Sequence, residues 1–238
     1  ILVDTGGLRG NYDTGERIII PFLRYLGINK LDVLTLSHGH HDHAGGAAAV
    51  ARSIPIGCVL LPREEPSQDV SALLNFIKDK SQIKYLSSGQ QYNLGSCQID
   101  IIEAPLASTL EENHNENESS AIMKITEGGK SIIFTGDATE EEEIAASGGP
   151  IKADVLKVSH HGSKTSSSFE FLHAVQPGLA VISVGADNKF GHPAPETLEK
   201  LQAIGAKVLR TDQAGNIKVV FDGSNCTWYS YRYQGKYF

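Results

Sequence analysis

Ser37-His38-Gly39-His40-His41-Asp42-His43-Ala44-Gly45-Gly46 is the stretch that decides how this chain is read. Four histidines and one aspartate fall between positions 38 and 43. The apolar run Leu31 to Leu36 before them reads as a buried strand, and the small residues Ala44 to Ala51 after them suit a helix. The cluster therefore sits where a strand hands over to a helix, a place where backbone turns aim several side chains at one point. Imidazole nitrogens and a carboxylate are a donor set for zinc and neighbouring transition metals. His38 and His40 flank Gly39 and project to the same side of an extended segment. Asp42 and His43 follow a bend and face a second point nearby, so the spacing suits two adjacent metals.

On either side of this stretch the chain reads as strands interspersed with helices. A strand ends at Val3 and is closed by Asp4-Thr5-Gly6-Gly7. Ile19, Phe22, Leu23 and Leu26 recur at helical spacing and predict one buried face, with Pro21 close to the helix start. Ile56 to Leu61 is a second buried strand, and Gln68 to Lys80 an amphipathic helix on Val70, Leu73, Leu74 and Ile77. A strand over 98–103 precedes a polar loop over 104–119. Residues 120–126 and 130–135 predict a hairpin across Glu127-Gly128-Gly129. Thr139 caps a helix whose first turn, Glu140 to Glu143, complements the helix dipole. Strands at 153–158, 178–184, 207–210, 216–221 and 226–233 alternate with helices at 169–175 and 195–204. Two similar halves of this kind suit two sheets packed face to face with helices outside.

Composition narrows the classes. The chain has 238 residues, 40% of them apolar, which is enough for one large core and predicts one domain over 1–238. No apolar run approaches the ~18–20 residues of a membrane span. The chain opens in mid-strand, as a piece of something longer would. Cys58, Cys97 and Cys226 are too far apart for a metal or redox motif, and Cys58 and Cys97 read as buried thiols. A net charge of −7 counts against a broad nucleic-acid-binding surface, though not against a nuclease whose bound cations add local positive charge.

Three further stretches carry chemistry. Asp137 follows the apolar strand at 132–134 next to Gly136, where an aspartate either caps the next helix or joins the histidine loop as a carboxylate held between two cations. A carboxylate so placed lowers their repulsion and fixes them ~3.5–4 Å apart. His160-His161-Gly162-Ser163 closes another strand. One of the pair completes the second metal site; spacing leaves open which, and the reading adopted is His161, with His160 facing the substrate. His192, in Asn188-Lys189-Phe190-Gly191-His192-Pro193, is placed to donate a proton or a hydrogen bond to a phosphate oxygen. His173, on a helix, and His114, in the polar loop, read as structural or solvent-facing.

His38-x-His40-x-Asp42-His43, preceded by a strand and followed by Gly45-Gly46, resembles the signature of the metallo-β-lactamase fold, an αββα four-layer sandwich. The order of pieces is similar to the C-terminal metallo-β-lactamase-like domain of ComEC, the competence protein family that carries DNA across the bacterial inner membrane. The pieces are Asp4, the histidine loop, residues 115–120 before a strand, Asp137, residues 155–163, residues 181–185, and Gly191-His192-Pro193 with Pro195-Glu196. Two departures stand out: a glycine-rich strand usual ahead of Leu2-Val3-Asp4 is missing, and Asn115, Glu116 and Asn117 stand where hydrolytic β-lactamases place a third histidine. The second departure argues against a β-lactamase and suits weaker zinc binding or manganese.

What the resemblance implies is a phosphodiesterase or deoxyribonuclease that uses two divalent ions, Mn²⁺ or Zn²⁺, to activate a hydroxide. His38, His40 and Asp137 would hold one ion, and Asp42, His43, Asp137 and His161 the other. Asp42, His160 and His192 would serve the reaction. Ser163, Lys164, Asn188 and Lys189 would meet the substrate, and Asp4 would support the ligands from behind. The implied partners are single- or double-stranded DNA and the rest of a membrane channel, with the domain on its extracytoplasmic face. A phosphorylcholine esterase or lactonase on the same scaffold, or a non-catalytic gating module, are the alternatives.

Overall fold

A computed structural model describes residues 1–8, 10, 12–63, 66–105, 119–222 and 225–230. Its contacts divide the chain into two units, Ile1–Ser88 with Ala104–Ala121, and Gly89–Glu103 with Ile122–Phe238.

The first unit is built on four strands, β1 (Leu2–Val3), β2 (Leu31–Thr35), β3 (Ile56–Leu61) and β4 (Gln82–Tyr85), in that order and all parallel. Parallel strands want apolar cover on their faces. Here α1 (Ile20–Tyr25), α3 (Ala47–Ser53) and α4 (Gln68–Ile77) supply it: Leu23, Val50, Leu73 and Ile77 join Leu34, Leu36 and Val59 in one core. α2 (His41–Ala44) is a single turn inserted between β2 and α3. The second half of the histidine cluster is thus helical rather than loop. The predicted face of α1 is rotated: Ile20 and Leu23 are buried, whereas Phe22 and Leu26 are exposed. The strand β4 has no counterpart among the strands read from sequence. The described helices include none long and apolar enough to cross a membrane.

The second unit holds a seven-stranded sheet in the order β11-β10-β9-β8-β7-β6-β5. β5 (Gln91–Leu94), β6 (Cys97–Glu103), β7 (Ile122–Glu127) and β8 (Lys130–Phe134) pair antiparallel, and the β7–β8 turn falls on Gly128-Gly129 as predicted. From β8 onward the sheet is parallel through β9 (Val155–Lys157), β10 (Leu179–Ile182) and β11 (Lys207–Arg210). The C-terminal ends of β8, β9 and β10 therefore lie along one edge, and Asp137, His160 and the 185–192 loop leave from it. α5 (Glu140–Ala146), α6 (Phe169–Val175) and α7 (Pro195–Ala203) bury Phe171, Leu172, Val175 and Leu201 against Ile133, Leu156, Ala180 and Ile182. A hairpin, β12 (Ile217–Asp222) with β13 (Asn225–Ser230), packs Val219, Phe221 and Trp228 against Val155, Leu179 and Leu209.

The three cysteines are free thiols, but Cys58 and Cys97 are only partly buried and Cys226 is exposed. The apolar runs around Cys58 and Cys97 overrated their burial, because each stands near the start of its strand, where an adjoining residue is itself at least partly exposed. His114 and residues 115–117 lie outside the described residues.

Candidate metal centre

In the first unit the donors are pre-aimed. His38 is fully buried, and its Nε2 stands 2.9 Å from Nδ1 of the half-buried His40. The two ring nitrogens thus face one another at hydrogen-bond distance, and imidazole nitrogens brought together are donors of the kind that binds zinc. His43 packs on the same group, its ring centroid 4.2 Å from that of His38. Asp42 is exposed on the first turn of α2.

Asp4 supports this loop from behind. It has a left-handed backbone (φ 56°) after β1. Its carboxylate accepts from the Ser37 amide at 2.7 Å, from Ser37 Oγ at 2.9 Å and from His43 Nδ1 at 2.8 Å. A proton held on Nδ1 by a carboxylate leaves Nε2 as the lone-pair face of His43. Burial pushes the Asp4 acid upward. The pull of His43, by charge and hydrogen bond, of the Ser37 amide and of His38 outweighs it and holds the pKa below the usual carboxylate value. Thr5 adds a second tie, since its amide and hydroxyl both donate to the His43 carbonyl, at 2.7 and 2.9 Å.

His41 does something else. Its Nδ1 meets Asp69 Oδ2 of α4 at 2.7 Å and its Nε2 faces the Leu8 carbonyl at 3.2 Å. The hydrogen bond to Asp69, then the Leu8 carbonyl, raise its pKa. A Cβ on Gly45 would lie 2.6 Å from the His41 carbonyl and 2.7 Å from its ring, so only glycine lets the ring reach α4. His41 is a strut for the loop. Nothing in the sequence singled out Asp69, an ordinary acid in the first turn of a helix.

In the second unit, Asp137 is buried at the end of β8, and His160 and His161 follow β9. Both histidines take left-handed backbone, φ 46° and 53°, a conformation that costs a side-chain-bearing residue about 1–3 kcal/mol. The turn is over-determined by its neighbours. Ser159 Oγ donates to the Ala138 carbonyl, the His160 amide donates to the Gly136 carbonyl, and Ser166 Oγ donates to the Ser163 carbonyl. Gly162 (φ 82°) has room for no side chain, because a Cβ would sit 2.6 Å from Pro193 Cβ, and its carbonyl accepts from the Ala194 amide at 2.8 Å. That contact seats the 188–193 loop on the histidine turn.

The result separates the two histidines. His161 Nδ1 stands 2.7 Å from the Ser183 carbonyl, which can only accept, so the proton is there. Its Nε2 lies 3.6 Å from Asp137 Oδ2. His160 turns toward His192, ring centroids 5.7 Å apart at 62°. Burial, then the neighbouring His160 and His161, hold the His192 pKa below the usual histidine value, against the pull of Asp137. His192 Nδ1 is buried and has no hydrogen-bond partner among the described residues, which fits a neutral ring.

Among the residues predicted to meet substrate, Lys164 and Lys189 are exposed. Ser163 is buried, and its Oγ accepts from the Thr165 amide at 3.3 Å and pairs with Thr165 Oγ1 at 3.0 Å. Asn188 is committed to its own loop: it donates to the Gly185 and His192 carbonyls and accepts from the Phe190 and His192 amides. His173 is exposed on α6 and stacks on Phe169.

The acid run on α5 divides by role. The Glu142 carboxylate accepts from the Thr139 amide and hydroxyl, completing a capping box, and Glu140 pairs with Lys200 at 2.6 Å. Glu143 is buried and accepts from the Ser168 amide at 2.7 Å. It is therefore not a surface acid complementing the dipole.

The profile of the Metallo-beta-lactamase superfamily matches residues 1–76 and 100–186. The chain belongs to that superfamily. Within it, the chain is 34% identical to ComE operon protein 3 of Bacillus subtilis (strain 168), covering 92% of this chain and 30% of the relative. It is 31% identical to competence protein ComA of Neisseria gonorrhoeae, again over 92% of this chain and 30% of the relative. The chain thus spans about a third of the length of these curated relatives. Among solved structures, the metallo-beta-lactamase fold protein YhfI from Bacillus subtilis superposes with a TM-score of 0.56 at 14% identity, covering 87% of this chain and 82% of that one. The fold is the metallo-β-lactamase fold, its donors are of the kind that binds metal, and a metal-dependent hydrolase is the activity class it supports.

Proposed function

We propose that this chain is a two-metal phosphodiesterase that cuts DNA, serving uptake as part of a longer inner-membrane channel protein with this domain on the extracytoplasmic face. The observation that carries the proposal is the tautomer control: His43 and His161 each hold a proton on Nδ1 against an oxygen, which leaves Nε2 of both as a metal donor. His38, His40 and Asp137 would hold one cation, and Asp42, His43, Asp137 and His161 the other, a mixed imidazole–carboxylate set that fits Mn²⁺ or Zn²⁺. When bound, two such cations make water a nucleophile near neutral pH and offset charge building on phosphate.

The chain's own groups do the rest. Asp42, exposed at the start of α2, orients the attacking water. His160 and the neutral His192 donate hydrogen bonds to phosphate oxygens as charge builds on them. Lys164 and Lys189 draw in the phosphate backbone, which a chain of net charge −7 must do locally. Ser163 and Asn188, both engaged internally, fix the two loops that carry His160 and His192. The relatives named for competence support DNA as the substrate.

Elemental analysis combined with digestion of single- and double-stranded DNA over added Mn²⁺, Zn²⁺ and Mg²⁺ tests the proposal. Cleavage should depend on metal, stop with chelator, and fall at least about 100-fold, some 2.7 kcal/mol of transition-state stabilisation, in Asp137→Ala. No digestion of any DNA with any of these ions would reject it.

A further inference from the structure

The 185–192 loop carries a feature that hydrolysis does not use. Phe190 is 81% exposed. A phenyl ring left in water beside a well-built site has lost the burial that normally retains it. The backbone that carries it is held: Asn188 accepts from the Phe190 amide at 3.2 Å and from the His192 amide at 3.0 Å, and its Nδ2 donates to the His192 carbonyl at 2.7 Å. The ring lies nearly parallel to the His192 imidazole and offset from it, centroids 5.8 Å apart and planes 16° from parallel. The exposure leaves a face of it open to solvent. From there a line of rings runs inward, from Phe190 to His192, then His160 at 5.7 Å, then His161 at 6.4 Å, whose Nε2 is 3.6 Å from Asp137. Lys189, next to Phe190 in sequence, and Lys164, three residues after His161, are exposed.

We propose that Phe190 is a stacking platform for one unpaired nucleobase next to the scissile phosphate, and that it makes this site prefer single-stranded over duplex DNA. The inference rests on the phosphodiesterase reading for the identity of the neighbouring phosphate. Three physical points carry it. A flat, stiff ring with an open face, carried on a backbone that Asn188 holds, takes a flat partner at little entropic cost. Base–aromatic stacking is worth about 1–3 kcal/mol per base and tolerates any sequence. In a duplex the bases are already stacked and paired, so the platform meets one only in an unpaired strand or a frayed end. The exposed Lys189 and Lys164 supply the backbone attraction that such a groove pairs with stacking.

The test is binding, not turnover. Fluorescence anisotropy of a labelled oligothymidylate on the full 238-residue chain, in chelator so that no cleavage intervenes, is compared with an abasic strand and a duplex of equal length. Wild type should bind oligothymidylate about 5- to 100-fold more tightly than the abasic strand. Phe190→Ala should lose that margin and leave abasic binding unchanged, while Phe190→Trp keeps it. The exposed position makes both variants safe for folding, which circular dichroism checks. Equal affinity of wild type and Phe190→Ala for oligothymidylate overturns the inference, as does an equal loss on the abasic strand or a wild type that binds no strand. Phe190-dependent binding without cleavage by any metal would sink the nuclease reading alone; metal-dependent cleavage indifferent to Phe190 would sink the stacking reading alone.

Discussion

Asp4 and Glu143 each hold a histidine-bearing segment from behind, one in each unit, and their acidities are displaced in opposite directions. Asp4 gathers His43, the Ser37 amide and the Ser37 hydroxyl, and those partners keep it ionised despite burial. Glu143 gathers the amide of Ser168, where the segment leaving His160–Ser163 turns into α6. There burial wins, and the acid is pushed up to about 8 against the Ser168 and Ser167 amides and Lys200, with Glu140 adding to the rise. The balance between burial and partners decides each case: the histidines and Ser37 outweigh burial at Asp4, whereas the two amides and Lys200 do not at Glu143. The two braces therefore fail at opposite ends of the pH scale. Asp4 contributes above the ordinary carboxylate pKa and is lost in acid. Glu143 contributes fully below its ordinary value of 4.5, and the contribution drains away as pH rises through about 8.

The largest effect expected from this contrast is a pH slope. Between pH 4.5 and about 8 the native chain keeps a proton on Glu143 that the unfolded chain has released, so urea stability should fall as pH rises through that window, by up to about 3–5 kcal/mol. Glu143→Gln, which cannot ionise, should flatten that slope. An identical slope in the variant would show that Glu143 is not the group responsible. Next in size is Gly162→Ala. Its φ of 82° and the closeness of Pro193 predict a loss of about 2–3 kcal/mol and a lower urea midpoint at unchanged slope. An unaltered midpoint would mean the histidine turn is not held against the 188–193 loop as described. Smaller again, and confined to the other unit, is Asp4→Asn. Metal affinity, read by competition with a chromophoric chelator, should weaken about 10- to 100-fold. Full retention would separate Asp4 from the ligands it faces.

The two donor groups also differ in how readily they were read. The first lies within six residues, so spacing alone pointed to metal. Asp137 and His161 stand on separate strand ends and gained meaning only from the first group. What sets His161 apart from His160 is its contact with the Ser183 carbonyl, and no local pattern announces that contact. The strut from His41 to Asp69 and the burial of Glu143 were invisible for the same reason: each depends on which face of a helix the fold covers. β4 and β5 escaped because Gln82–Tyr85 and Gln91–Leu94 are short and largely polar, held by pairing rather than by their own apolar character. The face of α1 was misjudged because a wide-turned segment, Gly15–Ile19, precedes it and shifts the phase of the apolar residues.

The Ser37 carbonyl, beside the histidine loop, accepts its hydrogen bond from the Ala121 amide at 2.9 Å. During synthesis the histidine segment leaves the ribosome well before the backbone that closes its flank, which emerges only after a long intervening stretch. A nascent chain halted near position 88 would display all four clustered imidazoles on an unfinished frame, open to adventitious metal before the second donor group exists.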